Sequence, residues 1–200
     1  MTDFLAQSGI GNRIQAIRKQ HGIRSAKDLA DAIPSDNVTE AIIQNIEAGR
    51  KQDLSVSQLL NIAWALRVTP IFLLAAIGRP LAKLDISNLS SSFDDVSVVE
   101  FDAWMSGEAH GAYRWTTTHE QSERAQLQAM RELHAQIRER RRLTSNLAVE
   151  QSLKAEASES PSAHDVWDTT SERISDATRR IEQLSSFLVS AGWDLDDWVQ

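Results

Sequence analysis

Thr39-Glu-Ala-Ile-Ile-Gln-Asn-Ile-Glu-Ala-Gly-Arg50 is the stretch on which the fold turns. Ile42, Ile43 and Ile46 fall on one side of a helix, and Ala48-Gly49 closes it. Thr39, Glu40, Ala41, Gln44 and Asn45 remain outside. The spacing therefore predicts a short helix over about Thr39 to Glu47, apolar along one stripe and hydrogen-bonding along the other.

Just upstream, Pro34-Ser35-Asp36-Asn37 is a turn by composition. Before it, Ser25 with Asp28 three positions on makes a capping box, and Leu29, Ala30 and Ile33 follow as an apolar face. Further back, Ile10, Ile14 and Ile17 recur at helical spacing until Gly22. Downstream, Ser55 with Gln58 caps a fourth segment, whose inner stripe is read as Val56, Leu59, Leu60, Ala63 and Leu66. Thr69-Pro70 opens a fifth, because proline's missing N–H costs nothing at a helix start, and Gly78 and Pro80 end it.

These residues, taken in order, resemble the lambda-repressor-like, Xre-type helix-turn-helix family. The resemblance rests on Ile14-x-x-Ile17-Arg18 with Gly22, on Leu29-Ala30, and on Ile43-x-x-Ile46-Glu47-x-Gly49-Arg50. It continues through Leu59-Leu60-x-Ile62-Ala63-x-x-Leu66-x-Val68 and the apolar run after Pro70, covering about residues 10–78. The stretch from Leu29-Ala30 to Glu47 is longer than the family's usual spacing, and the extra residues fall in the turn, Ile33 to Asn37. The resemblance implies a five-helix head that binds double-stranded DNA. Glu40, Ala41, Gln44 and Asn45, with Thr39 at the helix start, align with the positions that read bases. Gln and Asn suit adenine, Glu can accept from cytosine, and Ala can touch a thymine methyl. Arg13, Arg18, Lys19, Ser25, Arg50 and Lys51 are the expected phosphate contacts, with an ion pair to Glu47 as the alternative role of Arg18.

After the head the composition shifts. Ile86 to Phe93 is serine-rich and reads as a linker. A short helix is expected over about Asp95 to Ser106, then a loop holding Tyr113 and Trp115. Residues 118–156 carry no Gly or Pro and read as one helix, broken around Pro161. A last helix from about Asp165 to Ser190 bears Trp167, Ile174, Ile181 and Leu188 seven apart, with Ala177, Leu184 and Ala191 three after the last three. That seam is assigned to self-association through Trp167, Ile174, Ile181, Leu184 and Leu188. It forms either a coiled coil between chains or a hairpin with helix 118–156. The fold class is thus all-α, divided as a 1–83 DNA-binding head, an 84–117 linker with a short helix, and a 118–200 helical tail. Arg138-Glu-Arg-Arg-Arg142 is read as either a solvated cluster or a second DNA contact.

Composition bounds the function classes. The net charge of −7 divides unevenly: ten Lys/Arg against seven Asp/Glu through residue 83, then eleven against twenty-one. A mildly basic head suits nucleic acid, and an acidic tail suits a protein partner. Cysteine is absent, which removes disulfides and thiol chemistry and suits a cytoplasmic chain. No apolar run is long enough for a membrane span, and the N-terminus lacks a signal-peptide pattern. The five histidines are scattered, with no metal-ligand spacing, and no phosphate loop, dinucleotide fingerprint or nucleophile elbow is present. Neither a catalytic site, a metal nor a cofactor is expected. The helical periodicity after residue 84 argues against a self-cleaving protease domain. The expected activity is a homodimeric transcriptional regulator, most simply a repressor of the phage-immunity kind acting by operator occupancy. The alternative is an antitoxin-type protein that controls its own operon and binds a partner through the tail.

Overall fold

The computed structural model describes residues 4–108, 111, 117–156, 164–196 and 198, leaving aside the side chains of 150, 153–156 and 164–168. Tyr113, Trp115, the break around Pro161 and the Trp167 side chain lie outside the described residues. The described residues form helices and no strand, so the all-α class holds. The chain divides into two compact units, Met1–Arg114 and Trp115–Gln200.

Five helices build the core of the first unit: α1 (Ile10–Gln20), α2 (Ala26–Asp31), α3 (Glu40–Glu47), α4 (Val56–Ala65) and α5 (Ile71–Leu74). Each is too short to be stable alone, so capping and burial must hold it. The caps are local. Ser25 and Asp28 exchange hydrogen bonds at the start of α2, Ser55 and Gln58 do so at α4, and Thr39 Oγ1 accepts from the Ile42 N–H at α3. Burial supplies the rest. Ile14, Ile17, Leu29, Ile43, Ile46, Ile62, Leu66 and Leu73 converge in one core, each removed from water almost completely. Gly11 lets α1 cross the end of α3 closely: a Cβ there would stand 2.1 Å from the Ile46 carbonyl oxygen.

Two readings of this region need correction. Val56 is 73% exposed and Leu60 49%, so neither belongs to the inner stripe of α4. Gln58, Ile62, Ala63 and Leu66 are buried instead. Gln58 and Ile62 lie about 200° around the helix from Val56 and Leu60, so burying one pair exposes the other. The boundary after residue 83 also moves. Leu84, Ile86, Phe93 and Val96 pack on a small core of Ala75, Val98 and Phe101, the last two from α6 (Val98–Met105). Backbone bonds tie the same segment down: Leu84 N–H to Val96, Val98 N–H to Ala82 and Val99 N–H to Pro80. The apolar residues on either side of the serine run find a core, so the segment is a layer of the first unit.

That layer also completes the inside of the head. Arg13, fully buried, donates from Nε to the Leu73 carbonyl, from Nη2 to that of Leu74, and from Nη1 to that of Gln7. Nη1 also meets Asp85 Oδ2 at 2.7 Å. Asp85 additionally accepts from the Gly9 N–H at the start of α1.

Arg67 follows α4 with φ +55°, in the left-handed region that glycine tolerates best. Its N–H bonds to Trp64 and the next N–H, of Val68, to Ala63, which closes the helix in a Schellman turn. An arginine there carries a backbone cost that glycine avoids. Arg67→Gly should therefore raise unfolding stability by about 0.5–1 kcal/mol. Urea unfolding checks this, and an unchanged or lower midpoint would refute it.

The second unit is a pair of long helices, α7 (Thr118–Glu156) and α8 (His164–Ser190). They run antiparallel, as their bridging pairs show. Trp193 Nε1 donates to Gln126 Oε1, Arg180 grips Glu132 with two bonds, and Arg173 reaches Glu139. Ile181, Leu184 and Leu188 of α8 are buried against Ala129, Leu133 and Ile137 of α7, and Ala177 is buried too. Gly192, at φ +89°, ends α8 and turns Trp193 back onto α7. The seam read for self-association is thus a seam within one chain. Ile181, Leu184 and Leu188 are consumed there, Ile174 is half-buried, and Ala191 is exposed just beyond the helix end. Of the two partners left open by the heptads, the hairpin is the one observed.

Candidate nucleic-acid interface

The outer face of α3 is built by subtraction. Ile43 and Ile46 are committed to the core and fix the helix phase. Glu40, Ala41 and Gln44 are then exposed, and Asn45 is half-buried at the edge. Thr39 is exposed too, but its hydroxyl caps the helix. Gln44 Nε2 donates to Glu40 Oε1 at 2.9 Å, and Arg50 Nε donates to Asn45 Oδ1 at 2.8 Å. Amide, carboxylate and guanidinium therefore form one hydrogen-bonding strip along the exposed side, from the first turn of α3 to the residue after Gly49.

α2 and α3 are joined by the long turn, and the turn is braced. Ile33 and Val38 anchor its two ends in the core. Between them, the Asn37 carbonyl accepts from Gln58 Nε2, and the Asn37 side chain bonds to Ser57 and Asn61. Three residues of α4 thus hold Asn37, so the additional length between α2 and α3 is fixed in place. Gln58 carries two duties, capping its own helix with Oε1 and fixing the turn with Nε2. That is why it is the polar side chain buried in α4.

The expected phosphate contacts separate into two groups. Arg13 is corrected to an internal role, and of the two roles open to Arg18 the ion pair with Glu47 is the one observed. Arg13 is spent on backbone carbonyls and Asp85, as described. Arg18 makes two bonds of 2.7 Å to the Glu47 carboxylate and donates to the Ile23 and Arg24 carbonyls. Its hydrogen bond with Glu47 holds its pKa above the ordinary arginine value, against the opposing effect of burial. It clamps the end of α3 to the α1–α2 loop. Ser25 is occupied as well: its hydroxyl and N–H are both bonded to Asp28, whose carboxylate takes the end of α2 where a phosphate would sit. Those hydrogen bonds lower the Asp28 pKa, so the charge there is a persistent negative one.

Lys19 and Arg50 remain exposed, and Lys51 is half-buried. Arg24 and Lys27 are exposed cations that the family positions had not brought forward. They flank the start of α2 on a loop whose Arg24 carbonyl is held by Arg18. A signal for them was present in the sequence: both sit beside the Ser25–Asp28 cap, on residues with no place in an apolar stripe. The layer formed by residues 84–108 adds six carboxylates and no Lys or Arg, so the positive balance belongs to α1–α5 alone.

In the second unit one arginine of the run, Arg142, is engaged with an acid. Arg142 makes two bonds of 2.8 Å to Glu139, which also takes Arg173. Among the described residues no cluster of His, Asp and Glu could hold a metal ion, and no helix is long and apolar enough to cross a membrane. Comparison of the chain with protein-family models, with curated proteins and with solved structures finds no match.

Proposed function

We propose that the first unit lays α3 in the major groove of double-stranded DNA, and that the chain is a sequence-specific transcriptional regulator repressing by operator occupancy. The observation that carries this reading is the exposed strip of Glu40, Gln44, Asn45 and Arg50 on a helix whose other side is locked into a core. An α-helix with its side chains is about 10–12 Å across and fits the width of the major groove, where each base pair presents its own donor and acceptor pattern. The internal bonds of the strip, Gln44 to Glu40 and Arg50 to Asn45, are exposed and can be exchanged for base edges at little cost. The braced turn supports the same reading, because base contacts need a helix held at a fixed angle. Lys19, Arg24, Lys27, Arg50 and Lys51 are the candidates for phosphate contacts in this reading.

The test is selection of a preferred site from random duplexes by the full chain, followed by titration of variants on that site and on a scrambled one. Gln44→Ala and Asn45→Ala should narrow the gap between the two sites by about 1–3 kcal/mol each. Arg50→Ala should weaken both sites alike and reduce the salt slope by about one. Full selectivity in both amide variants would remove α3 as the reading element, and failure to select any sequence would remove the function itself.

A further inference from the structure

α4 leaves an apolar ridge without a partner. Val56, Leu60 and Trp64 stand four residues apart on one side of the helix, at 73%, 49% and 87% exposure. Trp64 is the most exposed large apolar side chain among the described residues. Single exposed apolar residues need no explanation, but three in register on one helix mark a surface that something covers. The ridge is about 12 Å long.

The chemistry along the ridge is complementary about Leu60. Four residues to either side stand Val56, a small side chain, and Trp64, a large one. Seven residues to either side stand Asp53 and Arg67, a carboxylate and a guanidinium, both exposed. No residue of α4 itself carries a charge. We propose that α4 pairs antiparallel with α4 of a second copy of this chain, across a two-fold axis at Leu60. The axis sets Leu60 against its own copy, Val56 against Trp64, and Asp53 against Arg67, twice each. Large meets small and acid meets base, as a self-complementary interface requires. The carboxylate precedes the helix start and the guanidinium follows its end, so each suits the dipole of its own helix.

Other occupants fit less well. A lipid surface would need cations around the apolar ridge, and one end here is acidic. An unrelated protein would gain nothing from this self-complementarity. The α8 seam does not compete for the role, because it is covered within its own chain. The left-handed backbone of Arg67 also acquires a reason: the cost of an arginine at that position is tolerated where its charge is used. A patch this small belongs with reversible interfaces burying less than about 1,200 Å² in total, with tryptophan as the anchor.

Sedimentation equilibrium of the full chain tests this. The wild type should be a reversible dimer with a Kd on the order of micromolar. Leu60→Asp, and separately Trp64→Lys, should give monomers with an unchanged far-ultraviolet circular dichroism spectrum. Asp53→Arg and Arg67→Asp should each weaken the dimer roughly tenfold, and the double reversal should recover wild-type affinity. The charge pair carries the test if a ridge variant fails to fold, since both charges are exposed. A wild type that stays monomeric at about 1 mM, far above the Kd expected of such a patch, overturns the proposal. So does a Leu60→Asp dimer of full strength, or a double reversal no better than either single one. The measurement contains no DNA, so its failure and the failure of the DNA-binding reading are separate results.

Discussion

Asp85→Ala should destabilise the first unit by about 3 kcal/mol, because it leaves the Arg13 guanidinium buried without its counter-charge. Asp85 is 29% exposed and Arg13 not at all, so the carboxylate retains some hydration while the arginine has none to regain. A chain ending at residue 83 removes the same carboxylate together with the layer that carries it, and it should fail to fold; one ending at residue 108 should fold. Urea unfolding of the variant, and circular dichroism of the two truncations, measure the effect. The double variant Arg13→Met, Asp85→Leu should recover most of the loss, since an apolar pair of similar size replaces the ions without stranding either. A wild-type midpoint in Asp85→Ala would show that the three backbone carbonyls satisfy Arg13 unaided.

The pair also has a signature on the acid side. Burial alone would raise the Asp85 pKa, but the hydrogen bonds from Arg13 and from the Gly9 N–H outweigh it, and the net shift is downward. A carboxylate whose folded pKa is depressed binds protons more readily in the unfolded chain. Its contribution is therefore fully present above the ordinary carboxylate value and is lost as pH falls through the lowered one. Between those two values wild-type stability should fall with acid more steeply than that of Asp85→Ala.

Ile181→Asp should collapse the α7–α8 hairpin, by about 4 kcal/mol, because it sets a carboxylate among Leu133, Ile137 and Leu184 with no partner. Far-ultraviolet circular dichroism should report the loss of much of two helices of 39 and 27 residues. The oligomeric mass should stay that of the wild type. Had the seam joined two chains, the same substitution would give folded chains of half the mass, so helicity and mass together separate the two arrangements. Native helicity in Ile181→Asp would mean that the seam is not the core of this unit.

The head was legible because its signals are local. Ser25, Thr39 and Ser55 announce helix starts within four residues, and Ile43 with Ile46 fixes which side of α3 faces out. That phase sufficed to separate Glu40, Ala41 and Gln44 from the core. Arg13 was not legible as an internal residue, because what buries it is distant: Asp85 enters from another element, and helical spacing says nothing of it. For Arg18 the pair with Glu47 was one of two roles left open, and it is the one observed. The stripe of α4 was misphased for a related reason. Val56 and Leu60 are as apolar as Ile62, and only the packing decides which of two apolar faces is buried. Residues 84–96 were obscured by counting serines, when Leu84, Ile86, Phe93 and Val96 on either side of them make the contacts. In α8 the pattern predicted a buried seam and found one, but a heptad repeat does not say which helix it meets.

The buried arginine and its carboxylate partner are 72 residues apart along the chain. At a synthesis rate of about 5–20 residues per second, Asp85 is made roughly 4–14 s after Arg13. During that interval the isoleucines of α1, α3 and α4 are already made, but the cation at their centre has no anion to close around. The head therefore cannot finish folding as its helices are produced one by one; it waits for a residue beyond the last of them. A nascent chain stalled before Asp85 should be cut readily by protease, and one stalled far enough beyond α6 to clear the ribosome should resist.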